Sequence, residues 1–99
     1  MINLALISEI KQNIGDRIVA FLEKDKRYEF VFDVKGDPRI QFHLQDELTG
    51  KFILCINRIT TMTSGTYKYV FIAPEDSILV YDTDGRGIAY IKHVYELEG

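Results

Sequence analysis

Two histidines and one cysteine are the side chains here best suited to chemistry, with an aspartate-rich turn beside them. His43 and His93 could serve as bases or metal ligands, Cys55 as a nucleophile or soft ligand, and Asp82-Thr83-Asp84-Gly85 as the start of a cation loop. None has the company that chemistry needs. An EF-hand loop carries a third acidic or Asn ligand before its glycine and a Glu at its twelfth position. Counted from Asp82, that position is His93. A hairpin turn explains the same residues, because Asp favours turn positions and Gly supplies positive φ. Neither histidine stands at ligand spacing from another His or Cys, so no metal site and no cofactor is expected. Cys55 lies among Ile53, Leu54 and Ile56, where a thiol is a small apolar side chain rather than an activated thiolate. The serines lack a nucleophile elbow. No strand–glycine loop–helix order exists to cradle a phosphate.

Composition narrows the rest. The chain has 99 residues, 46% hydrophobic and 27% charged, with 12 basic against 15 acidic side chains and a net charge of −3. That length corresponds to one domain. The negative balance argues against a nucleic-acid platform, although Tyr67-Lys68-Tyr69 interleaves aromatic and basic residues. No apolar run approaches the roughly 20 residues of a membrane span. The opening Met1-Ile2-Asn3-Leu4-Ala5-Leu6-Ile7 has no basic lead and is interrupted by Ser8-Glu9, so it does not resemble an export signal. With a lone thiol, this points to a reducing, cytoplasmic setting.

The elements that would position these residues follow from periodicity. Leu4, Ile7, Ile10, Ile14, Ile18, Phe21 and Leu22 recur at spacings of three and four, which predicts an amphipathic helix over about 3–26, N-capped by Asn3 and flawed by Gly15. From Arg27 the period becomes two. Strands are predicted over about 27–35, 39–45, 51–59, 66–73, 77–82 and 88–97. Gly36-Asp37-Pro38 would close a first antiparallel hairpin, and Asp84-Gly85 a last one. The expected fold class is therefore α+β: one helix laid on a five- or six-stranded antiparallel meander, curved and open or partly closed. In architecture alone this resembles cystatin-type or helix-grip folds, with no motif of either.

A single helix covers only one sheet face. The apolar excess would then fall on the other face or on an edge, marking Ile53, Cys55, Ile59, Tyr67, Tyr69, Val70, Ile72, Leu79 and Tyr81 as an interface. The leading expectation is a non-enzymatic protein-interaction module of adaptor, immunity or inhibitor type, a homodimer with no membrane partner. A second is a ligand-binding or cavity enzyme with a pocket between helix and sheet, using Asp33, His43 or His93 as its polar group. A third is an acidic mimic of nucleic acid.

Overall fold

The computed structural model describes residues 1–11, 17–84 and 86–98. Ile14 and Gly15 of the expected helix, and Gly85 of the expected turn, lie outside them. The described residues form nine strands: β1 (Glu9–Ile10), β2 (Arg17–Leu22), β3 (Arg27–Lys35), β4 (Arg39–Gln45), β5 (Phe52–Cys55), β6 (Thr60–Thr61), β7 (Gly65–Ile72), β8 (Ser77–Thr83) and β9 (Ile88–Leu97). The fold is all-β, with no helix among the described residues, so the α+β expectation and its cystatin-like analogy are wrong.

The N-terminal stripe failed as a helix for identifiable reasons. It is rich in isoleucine, whose branched side chain loses χ1 freedom in a helix and suits a strand. Its segments also find backbone partners elsewhere: the Leu4 amide donates to the Val94 carbonyl, the Leu6 amide to Val19, and the Ile91 amide to the Ser8 carbonyl. In β2, the register slips between Ile18 and Ala20. That bulge puts Val19, Ala20 and Leu22 inward while Phe21 stays half exposed. A period of two broken by a bulge imitates spacings of three and four.

Two antiparallel sheets stack. The first has the order β1-β9-β3-β7, and the second β2-β8-β4-β5 with β6 on β4. Sequence neighbours β1 and β2, β3 and β4, and β8 and β9 lie in opposite sheets, the arrangement of a jelly roll rather than a meander. Both expected terminal hairpins are thereby corrected. β3 pairs β7 and β9, not β4, and β8 pairs β2 and β4, not β9. Successive left-handed residues Gly36 (φ 83°) and Asp37 (φ 54°) swing the chain across the sandwich. Gly87 (φ 78°) lies in the matching β8–β9 crossover, and a Cβ on it would strike the Lys35 carbonyl and the Gly36 backbone. Turn residues specify a reversal; which sheet receives the next strand depends on the core.

That core lies between the sheets. Tyr28, Phe30, Phe32 and Val34 of β3 alternate inward with Ile40, Phe42 and Leu44 of β4, and all seven are buried. Phe42 sits 4.7 Å, ring centre to ring centre, from both Phe30 and Phe32. The second sheet covers the apolar face that a helix was expected to cover. No helix among the described residues is long and apolar enough to cross a membrane.

Candidate interaction surface

The outer face of the first sheet is a polar ladder whose charges answer one another. The cross-strand registers set Tyr95 beside Glu29, His93 beside Val31 and Tyr90 beside Asp33. His93 Nε2 lies 2.7 Å from the Glu29 carboxylate, and the His93 ring stacks on Tyr95 with centroids 3.8 Å apart. Lys68 Nζ reaches the other Glu29 oxygen at 3.3 Å. The hydrogen bond to His93, then that from Lys68, holds the Glu29 carboxyl below its ordinary value. Asp33 accepts a 2.6 Å hydrogen bond from the Thr66 hydroxyl and pairs with Lys92 at 3.4 Å; the Thr66 contact is the main cause of its lowered pKa. Here carboxylates alternate with cations.

The second sheet's outer face is less polar. One row runs Phe21, Ile78, Gln45, Phe52, and the next Ile18, Val80, His43, Cys55. Ile78 and Val80 are buried here, outside the cluster between the sheets. His43 Nε2–H donates to Gln45 Oε1 at 3.1 Å, while its buried Nδ1 has no hydrogen-bond partner among the described residues. The nearest Asp82 carboxylate oxygen is 4.0 Å away. Phe52 stacks over the same ring at 5.6 Å.

The expected pocket residues do not converge. Asp33 and His93 are on the first sheet's outer face, His43 is on the second's, and no helix among the described residues closes a pocket over them. Among the described residues no group of three or more His, Cys, Asp or Glu side chains is placed to hold a metal ion.

The nine expected interface residues divide in the same way. Leu79 and Tyr81 are buried in the core. Ile53 packs partly against it, Cys55 is half buried, and Ile59 is exposed in the loop before β6. The other four share β7. Tyr67 and Tyr69 lean inward, stacked on Phe32 at 5.5 and 6.0 Å, and Val70 and Ile72 point outward, 50% and 56% exposed.

β7 is distinctive as an edge. A sheet edge presents a row of unpaired N–H and C=O groups, and proteins blunt it with short strands, bulges, prolines or charges. β1 has two residues, β5 has four, and β2 has six with a slipped register. β7 runs for eight residues in unbroken register with β3, from Arg27↔Ile72 to Val34↔Gly65. It contains no proline, and its single charge, Lys68, is tied to Glu29. Its other side pairs with no strand among the described residues. Residue types alone marked Tyr67, Tyr69, Val70 and Ile72. That their strand lies at an edge depends on long-range pairing, for which the sequence carries no local signal; the outer row Phe21 and Phe52 was missed outright.

No protein-family model matches the chain, and neither does any curated protein sequence. Among solved structures it is similar to the CBM22-1 xylan-binding domain of Paenibacillus barcinonensis Xyn10C, at 6% sequence identity and a TM-score of 0.47, over 96% of this chain and 89% of that one. A likeness of that degree carries nothing about what this chain binds.

Proposed function

We propose that the chain is a non-enzymatic protein-interaction module that accepts an extended strand along β7. The observation behind this reading is the contrast among the sheet edges: β7 alone among those described is long, unbulged and free of proline. Strand addition draws affinity from main-chain hydrogen bonds and specificity from alternate side chains. Val70 and Ile72 supply an apolar outer row for a partner strand, and Tyr67, Tyr69 and Phe71 an aromatic inner one. Adaptor, immunity and inhibitor roles are all compatible with such an edge. In a reducing cytoplasm Cys55 would remain a thiol.

The test is an NMR titration of isotope-labelled protein, dilute enough to be monomeric, with a synthetic extended peptide of alternating valine and threonine that is unrelated in sequence to β7. Backbone amide shifts confined to Gly65–Ile72 and the facing β3 residues are the expected result. Shifts mapping to another surface, or none at saturating peptide, would refute strand acceptance.

A further inference from the structure

Resting on the reading of β7 as a strand-accepting edge, we infer that its partner is a second copy of this chain, paired antiparallel about a two-fold axis at Tyr69. A continuous eight-stranded sheet results.

The register follows by elimination. In a two-fold antiparallel pair, side chains facing each other must lie on the same side of the sheet, so the axis passes through a residue position rather than between two. Strand β7, Gly65–Ile72, has its midpoint between Lys68 and Tyr69. An axis at Lys68 sets the two lysines directly opposite each other, an unfavourable like-charge pair. Moving the axis to Val70 pairs Thr66 with Pro74, which has no N–H to give the ladder, and carries the pairing past the end of β7. An axis at Tyr69 avoids both faults. It uses the strand from Thr66 to Ile72, pairing Thr66 with Ile72, Tyr67 with Phe71 and Lys68 with Val70 of the second copy.

Both faces of that pairing are chemically matched. On the inner side, Tyr69 meets its own symmetry mate and Tyr67 meets Phe71. Aromatic cross-strand pairs are among the stabilising ones. On the outer side, the Lys68 stem covers Val70 of the other copy, and Thr66 covers Ile72, which is otherwise 56% exposed. Glu29 already balances Lys68 at 3.3 Å within each copy, so no uncompensated charge enters the joint.

Cysteine cross-linking reads the register directly. Lys68→Cys and Val70→Cys are made separately, each in a Cys55→Ser background, and oxidised alone and as a mixture. Residues facing each other across antiparallel strands have Cα atoms about 4.5–5.5 Å apart, within the range a disulfide spans. The expected result is a covalent dimer in the mixture only, with the parent chain sedimenting as a dimer and Val70→Lys as a folded monomer. A cross-link in Val70→Cys alone, or in Lys68→Cys alone, would overturn the register. If no cross-link forms and the parent chain is monomeric at every concentration, the second copy is not the partner. In that event the peptide titration decides whether the edge still accepts a strand, so the two readings fail separately.

Discussion

The two edges of the first sheet are built in opposite ways. On the β1 side, β9 carries a register slip: Val31 faces His93 and Phe32 faces Ile91, which leaves Lys92 out of the ladder. The N-terminal segment closes over this irregularity. Asn3 Oδ1 accepts from the Val94 and Ala5 amides at 3.0 Å each, and Asn3 Nδ2 donates to the Lys92 carbonyl at 3.2 Å. Leu4 and Ser8 add backbone bonds to β9, and the Leu6 amide crosses to Val19 in the second sheet. On the β7 side, the ladder with β3 is regular and no strand among the described residues lies beyond it. Irregular backbone is covered by the chain itself, and regular backbone is left available. A bulged edge is a poor template for a partner strand, whereas a flat one is a good template.

The largest expected effect comes from the strand between β9 and β7. Phe32→Ala removes a fully buried ring that packs on Phe30, Phe42, Tyr67 and Tyr69, and should cost about 3–5 kcal/mol of stability. Urea denaturation measures it, and both edges should loosen together. Next is the closed edge. Asn3→Ala deletes the side-chain bonds that hold the β9 slip and should cost about 1–2 kcal/mol, with faster amide exchange at Val94 than in the parent. On the open edge the expectation reverses. Val70→Lys alters a half-exposed side chain opposite Glu29, so monomer stability should change by less than about 0.5 kcal/mol while association is lost. Equilibrium unfolding and sedimentation, run on the same variant, separate the two effects.

The smallest effect concerns the ladder between the edges. The Glu29 carboxyl is held below its ordinary value of 4.5 by His93 first and by Lys68 next. A carboxyl whose pKa is lowered in the folded state contributes stability above its unfolded pKa, and that contribution disappears as pH falls through the folded one. The melting temperature of the parent should therefore drop on acidification below about pH 4.5. Glu29→Gln should flatten that part of the profile slightly. Lys68 is exposed while Glu29 and His93 are partly covered, so added salt should shrink the difference without abolishing it.

The sequence was informative where order is local. The alternation in 27–35, 39–45 and 88–97 identified strands that the structure contains, because inward and outward residues of one strand are set by its own pleat. Sheet membership was not legible. Gly36 and Asp37 signal a reversal equally well for a hairpin and for a crossing between sheets. The helix error has the same origin, since the bulge at Ile18–Ala20 exists only against β8. For the candidate site, Tyr67, Tyr69, Val70 and Ile72 could be picked out by type, but Leu79 and Tyr81 share that type and are in the core. Only tertiary pairing tells a central strand from an edge.

Amide hydrogen exchange, resolved by residue and repeated across a wide dilution series, tests the contrast between the two edges most directly. The account predicts that protection along Gly65–Ile72 rises with protein concentration while protection along Ile88–Leu97 stays constant. Protection of β7 that is independent of concentration and already equal to that of β9 would contradict it.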